Sequence, residues 1–331
     1  MSVPRWEETY LGGSPEAERQ LFQQMASDIN VVQDRWRARA SQRHVRRAFH
    51  AKTLAAVSNA EFRVLPAIDD DLRVGFLQPG AVYPATVRFS NAHATVRSDK
   101  RPDLRGVAIR IHVSTAEHQD LLLTNAPASH ARDAHQFMVA AKAFSMGRLR
   151  GSVKLVRELG VRESFRLAMV LARGMLRPVH SLSTESYWSR APTAVGPVAV
   201  KFKLQPEVGL ANRKLASGPE YLTDDFALRL RRSDVEFTLQ VQHFVDAGVT
   251  PIEDGSALWK EMDTPPEPIA RLTIPTQDLS TPAAKDKAAS IERLAFDPWN
   301  TTEGFRPLGN LNRARAPVYE ASAAHRDASQ G

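Results

Sequence analysis

Cysteine is absent from this chain of 331 residues. That removes disulfide staples, thiolate-held zinc and iron–sulfur centres, and thiol-based redox catalysis. No run of about 18 apolar residues occurs, so no membrane-spanning helix is expected. The amino-terminal stretch MSVPRWEETYLGG lacks an apolar signal core, which makes a cytoplasmic address the default expectation. Also missing are the GxSxG elbow, the P-loop, GxGxxG and HExxH, and with them the usual sequence marks of serine hydrolases, nucleotide-binding folds and zincins. Tyrosine is scarce, at five residues.

What is present suits a soluble globular protein. Hydrophobic residues make up 43% and charged residues 24%, and the chain is long enough to bury a large core. Lysine and arginine number 44 against 37 acids, a net charge of +7. Such an excess fits nucleic acid, an anionic surface or a buried dianionic ligand, and charge alone does not choose among them.

Ser14-Pro15-Glu16 reads as a helix start, and Leu21, Met25, Ile29 and Val32 follow at helical spacing, so residues 14–45 are expected to be helix with those four in a core. Eight segments read as strands: EFRVL (61–65), LRVGF (72–76), ATVRFS (85–90), GVAIRIHV (106–113), QDLLLT (119–124), VAVKFKL (198–204), VEFTLQVQHF (235–244) and PIARLTI (268–274). Eight strands can close a small barrel. Between them, residues 133–177 turn helical, with GSVKLVRELG and ESFRLAMVLARGML as two helices. From Arg148 to Arg177 eight basic residues stand against two glutamates, read as a solvated face on a helix packed against the domain. Thr276–Ala289 reads as polar and proline-interrupted, and Ala328–Gly331 as frayed. The expected organisation is an N-terminal helical arm (1–45), a β-barrel (46–275) with a helical insertion at about 133–182, and a wrapping segment with a terminal helix (276–331).

Four segments carry chemistry. Tyr319 lies four residues after Arg315, so a guanidinium and a phenol can share a helix face. An adjacent arginine favours phenolate, a hard anionic ligand and one of the few proximal ligands of haem iron. By itself, such spacing ordinarily marks a solvated face. His50, in RRAFHAK, has Arg47 three residues before it and Phe49 beside it; a lone histidine is ordinarily a satisfied core or surface residue. Strand alternation puts Arg88 and Ser90 on one face, and if that face is buried the arginine needs an anionic partner. Asn125 places an amide directly after an apolar strand.

In this order, these segments resemble the haem catalase family. The matching stretches are Arg47–His50–Ala51–Lys52, Arg88–Phe89–Ser90, Arg105–Gly106–Val107–Ala108, Asn125–Ala126–Pro127 with Arg132–Asp133–Ala134, Ala295–Phe296–Asp297–Pro298, and Arg315 with Tyr319 followed by His325–Arg326. The resemblance implies an eight-stranded antiparallel barrel with helical additions. It implies haem, iron protoporphyrin IX being the expected form, with Tyr319 as iron ligand and Arg315 as its partner. His50 would be the distal acid–base, Ser90 would fix its tautomer and Asn125 would hold peroxide. Arg47, Arg88 and Arg326 would hold the propionates, and Phe137 would be the distal aromatic.

The departures shape the expected activity. Family catalases have a longer amino-terminal arm and further carboxy-terminal helices, so the chain looks pared down, with a wider route to the haem. A peroxidase using organic hydroperoxides or H2O2 and an organic electron donor is therefore expected ahead of a true catalase. A related branch that isomerises fatty-acid hydroperoxides tends to carry threonine before the distal histidine, where this chain has Phe49. Pro317 between Arg315 and Tyr319 would kink a helix begun earlier. A haem carrier or sensor is the alternative, though it has no need of His50, Ser90 and Asn125 together. A nucleic-acid module resting on RWRARASQRHVRR (35–47) is set aside for want of any binding motif. No stable membrane insertion is expected, and homo-oligomerisation is left open.

Overall fold

The computed structural model describes residues 4–207 and 213–329. Helix α1 (Pro15–Arg39) opens with Ser14 accepting from the Ala17 N–H and closes near Ala40, short of the expected residue 45. It buries Phe22, Met25, Ile29 and Val32; Leu21 is only partly buried.

The barrel strands are β1 (Lys52–Val64), β2 (Val82–Asn91), β3 (Arg105–His112), β4 (His118–Thr124), β5 (Tyr187–Trp188), β6 (Thr193–Val195), β7 (Val198–Pro206), β8 (Val235–His243), β9 (Glu267–Ile274) and β10 (Phe305–Pro307). All pairings are antiparallel. The order is β10-β6-β7-β5-β4-β3-β2-β1-β9-β8, and a further β7–β8 pairing closes eight strands into a ring, leaving β6 and β10 as a flap on its side. The eight-stranded barrel is as expected, but its membership differs. LRVGF is no strand: Asp70–Leu72 forms a turn of 3₁₀-helix, and Leu72, Phe76 and Leu77 plug the core from a loop. The eighth place is filled by β5, two residues long and too short for alternation to show.

Val87 and Phe89, Val107, Ile109 and Ile111, and Leu121 and Leu123 project into one continuous apolar core with Phe62, Phe202, Phe237 and Leu272. Their alternates on β2 and β3 point outward. That outer face is covered by α5 (Pro282–Arg293) and the segment after it, through Ile291 and Phe296 on Ala56 and Ala108. A helix here departs from the polar, interrupted reading of Thr276–Ala289: Thr281 caps the Ala284 N–H and Pro282 takes the first turn, where its missing N–H costs nothing.

Helices α2 (Ala134–Ser145) and α3 (Arg148–Leu176) fill the stretch between β4 and β5; Gly160 (φ 77) breaks α3 into two arms. Helix α4 (Tyr221–Leu230) plugs the barrel with Phe226, and α6 (Gly309–Ala328) packs on α1. Of the tail expected to fray, Ala328 ends α6, while Gln330 and Gly331 lie outside the described residues.

Candidate active site

The site forms on the outer barrel face, beneath α5 and α6. Register sets its floor: Ser90 on β2 pairs with Gly106 on β3, and Arg88 with Ala108. His50 precedes β1 in the left-handed region (φ 57), a conformation histidine tolerates better than most residues. Its N–H donates to the Ala92 carbonyl at 3.0 Å. The imidazole lies on Gly106 so closely that a Cβ there would stand 2.5 Å from His50 Cε1. Nδ1 is 2.9 Å from Ser90 Oγ. Burial, followed by the charges of Arg88, Arg190, Arg315 and Arg47, pushes the His50 pKa down to about 3. The ring is therefore neutral near pH 7: if Nδ1–H donates to Ser90, Nε2 is a free acceptor.

Phe137 on α2 stands edge-on to Phe49, the neighbour of His50, with ring centres 5.5 Å apart. Asn125 follows β4, but its side chain is engaged elsewhere. Oδ1 accepts from the Arg105 N–H at 2.7 Å and Nδ2 donates to Glu185 Oε2 at 3.1 Å. One amide hydrogen is left over. Ser90 thus makes its expected contact with His50, whereas Asn125 sits in a separate network.

Arg47 and Arg88 converge on Glu292 of α5. Arg88 Nε reaches Glu292 Oε2 at 3.1 Å and Thr53 Oγ1 at 3.0 Å, and its Nη2 donates to the His50 carbonyl at 2.8 Å. Arg47 donates to the Glu292 and Leu294 carbonyls at 2.5 and 2.8 Å. Thr53 donates to the same Glu292 oxygen. Burial opposes the charge on Glu292, but Arg88 and Arg47 outweigh it and hold its pKa below the ordinary value. Arg326, near the end of α6, donates to the Arg293 carbonyl and adds positive potential at Arg47 and Arg88. Burial, then Arg88, brings Arg47 down to about 10. Two guanidiniums thus share one carboxylate with a third nearby, and Arg47 Nε, 3.5 Å from Glu292 Oε1, is buried without a hydrogen bond. Surplus positive charge with an unused N–H suits a ligand bearing carboxylates.

Helix α6 starts at Gly309 (φ 80), where Glu8 accepts from the Gly309 N–H at 2.9 Å and Glu253 from the Asn310 N–H at 2.6 Å. Carboxylates at a helix N-terminus also complement its dipole. Arg313 ties Glu8, Glu18 and Glu253 together at 2.5, 2.7 and 3.0 Å. Pro317 lies inside α6, yet the helix continues through it. Arg315 Nη2 meets Tyr319 Oη at 2.9 Å, and Nη1 is fixed by Asn312 Oδ1 at 3.1 Å. The expected disturbance by Pro317 is therefore not seen at this pair. The AFDP segment is pinned beside it: Asp120 takes Arg110 through two bonds (2.8 and 2.7 Å) and the Asp297 N–H at 3.0 Å.

Sequence reasoning passed over four residues here. Glu292 stands two residues before the Leu294–Pro298 run and looked like one charge among many. Gly106 was noted only as part of a motif, with no sign that an imidazole would lie on it. Arg190 and His130 carried no signal in sequence. Burial and the Arg315 charge bring Arg190 down to about 10, while Tyr319 acts against them; its Nε makes no hydrogen bond. Burial, then Arg190, takes His130 to about 3. An Arg-supported phenol, a neutral histidine and a surplus of cations with unused N–H groups form a donor set that fits haem.

The family described as catalase matches residues 21–148. A curated catalase-related peroxidase of Mycolicibacterium paratuberculosis (strain ATCC BAA-968 / K-10) is 26% identical over 256 residues, 73% of this chain and 78% of that protein. Among solved structures, a fungal catalase superposes with a TM-score of 0.68 at 16% identity, covering 98% of this chain and 66% of its own. Catalase A from Saccharomyces cerevisiae gives 0.67 at 15%, with coverage of 98% and 67%. A bacterial catalase gives 0.66 at 19%, with coverage of 86% and 58%. The chain thus spans about three fifths to two thirds of those catalases, and their likeness to it is one of fold. Residues 21–148 thus match the catalase family, and over most of its length the chain is similar in sequence to a catalase-related peroxidase and in fold to catalases.

Proposed function

We propose that the chain is a haem-dependent peroxidase that reduces organic hydroperoxides, H2O2 or both, with the Tyr319 phenolate as proximal iron ligand. The observation that carries the reading is the Arg315–Tyr319 contact at 2.9 Å, made by a guanidinium whose charge also reaches His50. Arg315 donates to the phenol oxygen and so holds it as an acceptor. Arg47, Arg88 and Arg326 hold the propionates, with Glu292 fixing two of the three guanidiniums.

Haem, when bound, supplies the iron and the electrons for O–O cleavage. His50, neutral and fixed through Ser90, takes the proton of the hydroperoxide's inner oxygen at Nε2 and returns it to the departing oxygen, which leaves as alcohol or water. Asn125 has one amide hydrogen with which to hold the peroxide. Phe49 and Phe137 keep that side apolar, which limits competing water and suits an organic group.

The name of the mycobacterial relative favours peroxidase over dismutase turnover. The test is the product: purified haem-loaded protein should oxidise an organic donor at the expense of cumene hydroperoxide with little oxygen release. Vigorous oxygen evolution from H2O2 without donor oxidation would make it a true catalase. His50→Ala should retain haem and lose about 10²–10⁴-fold in peroxide consumption. Tyr319→Phe should change the ferric absorption spectrum, and an unaltered spectrum would remove Tyr319 as the ligand.

A further inference from the structure

Helix α3 turns an apolar face to solvent. Along its first arm Leu149 and Val153 are 80% and 61% exposed and Val156 also lies open; along the second, Val161, Phe165 and Leu176 are 72%, 67% and 69% exposed. Spacings of four and three in the first run, and of four and eleven in the second, keep each run on one side of its arm, and Gly160 separates the arms. The opposite side is docked: Gly151 packs on the Ala143 carbonyl, and Ser164 and Leu167 are buried. Apolar exposure repeated along both arms marks an interaction surface.

Its flanks say what covers it. Arg150 and Arg157, seven apart, and Arg162 and Arg173, eleven apart, line the stripe and make no ion pair with any described residue. Three largely buried arginines of the barrel and of α6 are consumed instead: Arg110 by Asp120, Arg313 by three glutamates, Arg88 by Glu292. A second copy meeting this face symmetrically would set arginine against arginine. An anionic lipid surface accepts both features, taking the apolar side chains among its acyl chains and the guanidiniums among its headgroups.

We propose that α3 is an interfacial helix that seats the protein on an anionic phospholipid bilayer. It lies on the surface and does not cross it, since no described helix is long and apolar enough to span a membrane. On this proposal the face read as solvated from the sequence would meet lipid.

The full-length protein, sedimented with phosphatidylcholine vesicles with and without phosphatidylglycerol, tests this. Binding should require phosphatidylglycerol and weaken as salt rises. Val153→Glu with Phe165→Glu should reduce it by about tenfold or more, as should Arg150→Glu with Arg157→Glu. Unchanged circular dichroism and melting temperature would show both variants folded, and the exposure of these positions favours that outcome. Equal binding to both vesicle types, or none to either, overturns the proposal. So does a stable dimer in sedimentation velocity that Phe165→Glu dissolves, which would give the face to a second copy. No peroxide is consumed in the assay, so its result stands apart from that of the haem reading.

Discussion

The two sides of the site are built in different ways. The phenol side is local: Asn312, Arg315 and Tyr319 sit three and four residues apart on α6, and one helix brings them together. The histidine side is long-range: His50, Ser90 and Gly106 come from a loop and two strands, and only barrel register makes them touch. A helix sets its own geometry through its pitch, but it must be held in place from outside. A sheet sets position rigidly, but only after distant segments have paired. The first is vulnerable at its anchor and the second at its packing.

The largest effect should come at the anchor. Arg313→Ala leaves Glu8, Glu18 and Glu253 without their shared cation, and stranding buried carboxylates costs about 3–5 kcal/mol. Urea unfolding would measure it. A loss below about 1 kcal/mol would mean that α6 is held by its apolar packing on α1 instead. On the strand side, Gly106→Ala drives a Cβ into the His50 ring and against Ser90 Oγ. Peroxide consumption should fall about 100-fold, the low end of acid–base catalysis, while haem content stays unchanged. Full activity in that variant would show that the ring does not need its present seat.

A smaller effect follows from pH. His50 has its pKa lowered to about 3 by burial and then Arg88, while an unfolded histidine takes its proton near 6.5. The folded value is the lower one, so the unfolded chain gains a proton first. Stability is complete above about pH 6.5 and is lost as pH falls towards 3. Between pH 7 and 5 His50 contributes about 2 kcal/mol of that loss at 1.4 kcal/mol per unit, and His130 follows the same course. Unfolding of the haem-free protein at the two pH values should show a shallower slope for His50→Gln. An identical slope would remove the histidine from this account.

The strands β2, β3, β4, β7, β8 and β9 were legible because their alternation is strong, and so was the Arg315–Tyr319 pair. LRVGF misled because apolar residues in a plugging loop look like those of a strand. Strand β5 is too short to carry a period, and α5 was hidden by the polarity of a helix that buries only Ile291. Alternation put Arg88 and Ser90 on one face without telling whether that face lies inside the barrel or beneath a helix. Asn125 shows the same limit: its type and place gave no sign of its neighbours, and the structure ties its amide to Arg105 and Glu185 with one hydrogen left over.

By itself the sequence determined what is periodic or adjacent: an antiparallel barrel, its apolar interior, a basic helix pair and a phenol within reach of a guanidinium. Only the tertiary structure decided which carboxylate meets the buried arginines, which glycine lies under the imidazole and which side of α3 stays open. Those outcomes depend on contacts between residues 35 to 245 positions apart, and such closures leave no local pattern in the chain.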